Sequence, residues 1–191
     1  KTAYKLFLPL AEQGNAKAQV LLGLMYVNGQ GVPQDDKEAV KWFRLSVEQG
    51  YASAQYSLGL MYANGEGVPQ DYKEAVKWFR LSAEQGDELA QHKLGLKYAK
   101  GQGVPQDYNE AVKWYRLSAE QGYVKAQNNL GIMYVKGEGV PQDYVLAYMW
   151  WNISVSNGVK GAEKNRNILE KEMSPSQIEK AQEMARNWKP K

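Results

Sequence analysis

The sequence contains no cysteine, and this absence excludes several kinds of chemistry at once. Disulfide bonds, thiolate zinc sites and thiol nucleophiles all require cysteine. Histidine is almost as scarce, since His92 is the only one in 191 residues, and a single imidazole without thiols is a poor basis for a metal site. We therefore expect no metal and no cofactor, and the redox compartment stays open.

Long apolar runs and a strong charge of one sign are missing as well. No stretch is long and apolar enough for a membrane span. The 24 basic and 21 acidic residues leave a net charge of +3, too balanced to indicate a strong phosphate-binding surface, so nucleic acid is not the expected partner. The sequence opens at Lys1 without a methionine or a signal-like stretch, and we expect that a segment upstream has been removed.

What the sequence has in abundance is an internal repeat. Glycines and prolines recur with a spacing of 36 residues, at Gly14, Gly50, Gly86, Gly122 and Gly158 and at Pro33, Pro69, Pro105 and Pro141. The unit reads A-x-x-x-L-G-x-x-Y, then G-x-G-V-P-Q-D, then E-A-V-K-W-F-R-L-S-x-E-Q-G, with the last unit altered. Apolar positions at helical spacing, separated by glycine and proline, predict two helices and two turns in each unit.

The second unit illustrates the first helix of the repeat, helix A. Ala54, Leu58 and Tyr62 recur at every fourth position, which places them on one face of a helix over about 52–64. Gly65 then serves as a C-terminal cap, because glycine adopts positive φ without strain.

The second helix of the unit, helix B, is predicted to start near Tyr72. Asp71 is the expected N-cap, and Glu74 is expected to complete a capping box. Close helix approach is expected at Gly59 and Gly95, where a bulky residue would overpack the core. The residues predicted to be inside across the repeats are Ala39, Trp42, Phe43, Leu58, Tyr62, Ala75, Trp78, Phe79, Leu94, Tyr98, Ala111, Trp114, Leu130 and Tyr134.

The repeat divides the chain into three parts. Residues 1–14 match the second helix of a truncated N-terminal repeat, and residues 159–191 form a degenerate repeat followed by a C-terminal capping helix. Between them lie four complete repeats, at 15–50, 51–86, 87–122 and 123–158.

The last helix carries its own start signal. Ser174 can N-cap it, with Pro175 at its first position and Gln177 completing a capping box. The fourth helix B has lost its charged outer face, and an apolar flank of this size is rarely left in water. We expect the last helix to cover that flank at Val145, Tyr148 or Met149.

The L-G-x-x-Y and A-x-x-x-F pieces resemble the tetratricopeptide signature, whose repeat has about 34 residues. Here the turn between helices A and B is longer and carries G-x-G-V-P-Q-D, and glycine replaces the proline expected after helix B. In these features the chain is similar to the Sel1-like repeat family. The resemblance covers roughly Ala3 to Gly158.

This resemblance implies an all-α fold, an α/α solenoid of tandem 36-residue helix-turn-helix repeats that forms a right-handed superhelix. It implies a scaffold or adaptor that binds a protein or peptide partner on its concave face, often in signalling complexes, and it implies no catalytic residues. Bacterial members are often exported, so a periplasmic or secreted location is favoured and a cytoplasmic one stays open. We expect a monomer.

Comparing the four repeats with each other separates positions that pack from positions that are free to bind. Along helix A the varied columns lie opposite the repeating ones. A column of Leu24, Leu60, Leu96 and Ile132 runs through the varied side, and an apolar strip flanked by varied polar groups suits a peptide groove. The predicted partner-binding residues are Tyr56, Leu60, His92, Leu96, Lys100, Asn128 and Lys136.

Two alternative functions stay open. A cysteine-rich bacterial branch of the family has been linked to β-lactam binding or hydrolysis, but its paired cysteines are absent here. An RNA-binding helical repeat is the second alternative, although its signature does not match. It is suggested by the basic residues on the varied side, Lys93, Lys97, Lys100, Lys125 and Lys136.

A catalytic trio can also be drawn from Ser57, His92 and Glu88. No nucleophile elbow or oxyanion loop accompanies Ser57, so catalysis is not the favoured interpretation. The simpler one is a surface ion pair between Glu88 and His92, which lie four residues apart on one helical face.

Overall fold

The computed structural model describes residues 2–191 of the chain, except for the side chains of Thr2 and Lys160. Within this range there are eleven α-helices, one short 3-10 turn at Glu170–Glu172 and no strand, which confirms the predicted all-α class. The helices are α1 (Thr2–Glu12), α2 (Ala16–Asn28), α3 (Asp36–Val47), α4 (Ala52–Asn64), α5 (Tyr72–Glu84), α6 (Glu88–Lys100), α7 (Tyr108–Glu120), α8 (Val124–Lys136), α9 (Tyr144–Ser156), α10 (Lys160–Leu169) and α11 (Pro175–Asn187).

The helices alternate as the repeat predicts. Helices α2, α4, α6 and α8 are the A helices of the four repeats, and α3, α5, α7 and α9 are their B helices. Of the helices that lie within residues 2–191, none is long and apolar enough to cross a membrane.

The chain divides into two compact units, with the boundary inside α6. Unit 1 contains the residues up to Ala90 together with Gln102–Val104, and unit 2 contains Gln91–Gly101 and Pro105–Lys191. In unit 1, α2 packs on α3, α3 on α4 and α4 on α5. In unit 2, α7 packs on α8 and α8 on α9, and α9 also carries α10 and α11.

The B helices begin where aspartates cap them. The carboxylates of Asp35, Asp71 and Asp107 each accept hydrogen bonds from two backbone N–H groups of the first turn, and that of Asp143 accepts one. These bonds satisfy amide groups that have no partner within the helix. The aspartates are therefore N-caps, as the sequence predicts.

The capping box predicted at Asp71 is only half formed. Asp71 Oδ1 accepts from the backbone N–H groups of Lys73 and Glu74, at 2.8 and 3.1 Å. The Glu74 carboxylate lies 3.5 Å from Lys77 Nζ, one turn further along α5. The reciprocal bond does not form because the Asp71 backbone N–H, its only possible donor, donates to the Tyr62 carbonyl at 2.9 Å instead.

Each A helix touches its B helix through a glycine. A Cβ atom built on Gly59 would lie 2.7 Å from the Phe79 ring, and one built on Gly95 would lie 2.7 Å from the Tyr115 ring. These distances are well inside normal contact between carbon atoms. The predicted close approach at the two glycines is confirmed.

Most of the predicted core residues are buried. Four are only half-buried: Trp42, Tyr62, Trp78 and Tyr98. Tyr62 shows the reason, because its hydroxyl accepts a hydrogen bond from Arg44 Nη2 at 3.1 Å and so reaches the outer edge of the core. An aromatic ring with a polar tip commonly takes such a place.

Within each of the first three repeats a glutamine pair links the A helix to the end of the B helix, at a constant spacing of 30 residues. The side-chain amide of the glutamine that follows each B helix donates to the Oε1 atom of a buried glutamine on the preceding A helix, in the pairs Gln49–Gln19 (2.9 Å), Gln85–Gln55 (2.7 Å) and Gln121–Gln91 (2.9 Å). In the fourth repeat Asn157 replaces the donor, and its Nδ2 atom binds the Ile153 carbonyl instead. Gln127 Oε1, which Asn157 would have to reach, is buried without a partner.

The C-terminal helix α11 covers the flank of α9. Its first turn holds the predicted capping box, in which Ser174 Oγ accepts from the Gln177 backbone at 3.3 Å and Gln177 Oε1 accepts from the Ser174 backbone at 2.8 Å. Ala181 is completely buried, and the Trp188 ring meets Trp150 edge-on with the ring centroids 5.9 Å apart. On the flank itself, Tyr148 and Met149 are buried and Val145 is half-buried.

Candidate binding site on the first helices of the repeats

The varied positions of the A helices form one side of each hairpin, here called the A-helix face. In unit 1 this face carries Leu24, which is 39% exposed, and Leu60, which is half-buried. Tyr56 is half-buried as well, with its ring 6.0 Å from that of Phe79. Both predicted unit 1 residues, Tyr56 and Leu60, are therefore partly accessible.

A cavity of about 450 Å³ lies on α1 and α2 of unit 1. The residues that line it are Ala3, Phe7, Leu21, Leu24, Met25, Asn28, Gln30 and Gly31. None of these carries a charge, so this part of the A-helix face is apolar and neutral.

In unit 2, His92 does not lie where the sequence places it. Only 5% of its surface is exposed. The imidazole packs between two tyrosine rings, with centroid distances of 5.9 Å to Tyr115 and 5.1 Å to Tyr123. The expectation that His92 lines an open groove is wrong, because rings from α7 and from the turn before α8 enclose it.

The environment of His92 also sets its charge. Burial, reinforced by the positive charges of Lys93 and Lys125, lowers the pKa of His92 to about 4. The imidazole is therefore neutral at pH 7 and cannot form the surface ion pair with Glu88 that the sequence suggests. Its Nε2 atom lies 3.1 Å from Asn129 Nδ2. With Nε2 accepting that hydrogen bond, the proton of the neutral ring is on Nδ1, which is buried without a partner.

Asn129 connects His92 to a second buried polar group. It also shares a side-chain hydrogen bond with the Tyr115 hydroxyl, whose pKa is raised by burial. Asn129 is equivalent to Ser57 and Lys93 of the preceding repeats, and the sequence predicts its neighbour Asn128 as the binding residue instead. Asn128 is half-buried, and its backbone carbonyl accepts from Trp151 Nε1 at 3.1 Å.

A cavity of about 220 Å³ opens on α6 and α8 within unit 2. Of the predicted site residues, it brings together Leu96, Lys100 and Lys136. The other residues that line it are Ala99, Tyr108, Tyr115, Asn129, Ile132, Met133 and Glu138. Ile132 could be predicted as a site residue from the sequence, because it belongs to the column of Leu24, Leu60 and Leu96. Tyr108 and Tyr115 lie on the B helix, and nothing in the sequence pattern marks them as site residues.

Lys100 and Lys136 line this cavity, and three more lysines lie on the same two helices. Lys93, Lys97 and Lys100 follow one another at four- and three-residue steps along one face of α6, and α8 adds Lys125 and Lys136. Burial, and then the charges of neighbouring lysines, lower the pKa values of Lys93 and Lys97. The cluster is thus dense enough for its members to repel each other.

The disfavoured catalytic trio of Ser57, His92 and Glu88 has no support in the contacts of Ser57 and His92. Ser57 is buried, and its hydroxyl donates to the Ser53 carbonyl at 2.8 Å, while His92 is engaged by Asn129. Within the described range 2–191, no three histidine or acidic side chains converge where a metal ion could bind.

The fold and this face define a class of protein, the tandem helical-repeat proteins whose hairpins present a row of first helices. Four copies of the Sel1 repeat match residues 16–51, 52–87, 89–123 and 124–159. The chain belongs to the Sel1 repeat family, which confirms the resemblance seen in its sequence. Sel1 repeats generally mediate protein interactions and are generally non-catalytic.

Solved structures agree with this assignment. The chain is 36% identical to a protective antigen of uropathogenic Escherichia coli strains that displays an SLR fold, with a TM-score of 0.90 over 96% of this chain and 40% of the antigen. The chain thus spans well under two thirds of that relative. A Sel1 repeat protein from Oxalobacter formigenes is 40% identical, with a TM-score of 0.81 over 95% of this chain and 74% of the other.

A Pseudomonas aeruginosa protein shares the fold alone, at 22% identity and a TM-score of 0.55 over 93% of this chain and 73% of that protein. No curated protein matches the chain.

Proposed function

We propose that this protein is an interaction scaffold that binds a peptide or protein partner on the A-helix faces of its repeats. The observation that carries the proposal is the 220 Å³ cavity of unit 2, where Leu96 and Ile132 lie beside Lys100 and Lys136. An apolar recess can anchor a side chain of the partner, and a polar rim can orient the partner's backbone around that side chain.

The position of the cavity supports this proposal. It lies on the varied side of α6 and α8, where Lys100, Asn129 and Lys136 occupy positions that differ between repeats. Leu60 of unit 1 belongs to the same column as Leu96 and Ile132, so an apolar strip is available in both units. Lys100 and Lys136 are exposed and lie outside the core, so they are available for recognition.

Site-specific photo-crosslinking tests the proposal. A photoreactive phenylalanine analogue is placed at Leu60, Leu96 or Ile132 on the A-helix faces, and the protein is exposed to an extract of its own organism. As matched controls, the analogue is placed at Leu45, Leu81 and Leu117, which are 43%, 38% and 41% exposed on B helices. We expect a discrete crosslinked partner from the first set and none from the second.

Crosslinks only from the B-helix positions would show that the binding face has been assigned to the wrong side. A protein that captures no partner from either set but converts small molecules in the extract would contradict the scaffold function itself.

A further inference from the structure

We propose that the lysines of α6 and α8 in unit 2 bind a partner segment in which carboxylate side chains flank an apolar residue. This inference rests on the proposed scaffold function and names the chemistry of the partner. The apolar residue would enter the cavity beside Leu96 and Ile132, and the carboxylates would meet the surrounding ammonium groups.

Lys97 provides the first argument, because it occupies a core position of the repeat. The three equivalent residues are Met25, Met61 and Met133, and they are only 8%, 2% and 4% exposed. Lys97 is half-buried at this position. A lysine placed where the fold accepts a buried methionine costs stability, and residues that carry such a cost are typical of functional sites.

The second argument is the charge that accumulates around it. The pKa of Lys97 is lowered by burial and then by Lys100 and Lys93, and that of Lys93 by burial and then by Lys125 and Lys100. Four cationic side chains on two helices are therefore close enough to repel one another. A bound group of opposite charge would relieve this repulsion.

Among Lys93, Lys100, Lys125 and Lys136, only Lys136 is paired with an acidic side chain of the described residues. Lys136 lies 3.6 Å from the Glu138 carboxylate, which also lines the cavity. Lys93, Lys100 and Lys125 form no ion pair with any residue in the described part of the chain. Their charges are available to a partner.

The α4 helix of unit 1 carries no charge at the corresponding positions, which shows that the repeat does not need these lysines. The residues equivalent to Lys93 and Lys100 are Ser57 and Asn64 there. The fold is built equally well from uncharged residues, so the lysines of α6 are specific to unit 2.

Carboxylate side chains fit this surface better than the other anionic groups. A chain-terminal carboxylate could neutralise only one or two of five ammonium groups spread over two helices. Single-stranded RNA would need exposed aromatic faces on which bases could stack. The two tyrosines that line the cavity do not offer them, since Tyr115 is buried and Tyr108 is half-buried with its hydroxyl 3.1 Å from Gln106 Nε2.

Selection from a phage-displayed library of random decapeptides on the intact chain tests the inference. The enriched sequences are then synthesised with an amidated C-terminus, which removes the terminal carboxylate, and their affinities are measured by fluorescence anisotropy. We expect enriched peptides to carry at least two aspartates or glutamates around an apolar residue. Replacement of the acidic residues by their amides should abolish binding.

The test variants take their residues from equivalent positions of other repeats, so the fold should tolerate them. They are Lys93→Asn, as at Asn129, Lys97→Met, as at Met61, and Lys100→Asn, as at Asn64. The triple variant should bind the selected peptides at least about tenfold more weakly. Lys97→Met alone should also raise the melting temperature. If Lys97 stabilised the fold, the same replacement would lower the melting temperature.

A charge-matched control removes three exposed lysines elsewhere, by Lys37→Gln, Lys73→Gln and Lys180→Gln. Its affinity should stay within about twofold of wild type if the position of the lysines matters rather than the net charge.

Selected peptides without acidic residues, or peptides that bind the triple variant as well as wild type, would overturn the inference. The scaffold function would still stand if partners continued to crosslink at Leu96. Binding of a labelled oligouridylate 12-mer that the triple variant loses, with no binding of acidic peptides, would replace the inference with RNA recognition.

Discussion

At Gly59 the lack of a side chain allows α4 to lie against the Phe79 ring of α5. The same contact recurs at Gly23, Gly95 and Gly131, where a Cβ atom would come within 2.7 Å of a ring in each case. Protein cores are packed densely enough that such an atom has no free space to occupy. The stability of each hairpin therefore depends on one residue type at one position.

Replacement of Gly59 by leucine should lower the free energy of unfolding by about 3 kcal/mol or more, because the side chain must displace the Phe79 ring. Gly161 is the matched control, since it is also helical but has no atom within 4 Å of the position that a Cβ would take. Gly161→Leu should leave the midpoint of urea unfolding unchanged or raise it slightly. Equal effects of the two substitutions would argue against the packing role of Gly59.

His92 makes the stability of the fold depend on pH. Its pKa in the folded protein is about 4, against 6.5 for the exposed side chain, so between these values the unfolded chain binds more protons than the folded one. Stability is then fully present above the unfolded value and falls as the pH decreases through 6.5 toward 4.

We expect the free energy of unfolding to drop by roughly 1–2 kcal/mol between pH 7 and pH 5 through His92 alone. The variant His92→Asn, which takes the residue found at Asn128, isolates this contribution because its side chain does not titrate. Chemical denaturation of both proteins across this range measures it. If the difference between them did not change with pH, the neutral buried imidazole would be an incorrect description.

Gln127 shows the effect of a single missing methylene group. In the other three pairs a glutamine reaches the equivalent Oε1 atom, but Asn157 is too short and bonds to its own helix. A buried carbonyl oxygen without a partner costs about 1–3 kcal/mol.

Asn157→Gln should complete the fourth pair and raise the free energy of unfolding by about 1 kcal/mol. Gln85→Asn is the reverse change at an intact pair and should lower stability by a similar amount, because it leaves Gln55 Oε1 without its donor. Thermal unfolding of both variants checks the prediction. A stabilised Gln85→Asn protein would show that the glutamine pair has no energetic role.

Among the elements, α11 has the clearest separate role. It is a short amphipathic helix whose apolar side lies on α9, with Ile178, Ala181 and Trp188 in contact with the unit 2 core. After it, Lys191 returns to α7, where its ammonium group lies 2.8 Å from the Glu120 carboxylate. Most of the stabilisation of such a helix comes from tertiary packing, since an isolated helix of this length is marginal in water.

Truncation after Met173 should lower the melting temperature or cause aggregation, because it removes the helix that packs on α9 and the Trp188 ring that lies against Trp150. The point variant Trp188→Ala should have a smaller effect in the same direction, since it removes only the edge-on contact with Trp150. Differential scanning calorimetry and light scattering distinguish these outcomes. A truncated protein that is fully stable and monomeric would contradict the covering role.

Over the whole molecule the net charge is small, but the lysines of the A helices are unevenly distributed between the two units. The chain carries only +3, yet five lysines lie on α6 and α8 within unit 2. On α2 and α4 of unit 1 the equivalent positions hold a single lysine, Lys17. The repeat thus supplies one backbone design, and the varied positions give each unit a different surface.

We expect the intact chain to be a monomer, because α10 and α11 occupy the flank of α9 that a second copy could otherwise cover. Sedimentation velocity over a hundredfold range of concentration should give the mass of one chain throughout. A mass that rises toward that of two chains would show that another surface, such as the exposed leucines of the B helices, joins two copies.

The helices, their caps and the close helix approach at the glycines could be predicted from the sequence. Each depends on residues a few positions apart, or on a spacing that the repeat displays four times. The sequence pattern gives the same signal for the half-buried Trp42 and Trp78 as for the buried Trp114. All three occupy the same position of the repeat and differ only in the side chains around them.

The sequence by itself determined the fold class, the helix boundaries and the side of each A helix that varies, since helical periodicity and backbone capping are local. Only the tertiary structure decided the state of His92, because the groups that enclose it and bond to it include residues of the next repeat, with Asn129 lying 37 residues further along the chain. The same holds for the lysine cluster, whose desolvation and mutual repulsion depend on the distance between α6 and α8, and distances in space are set by packing between repeats.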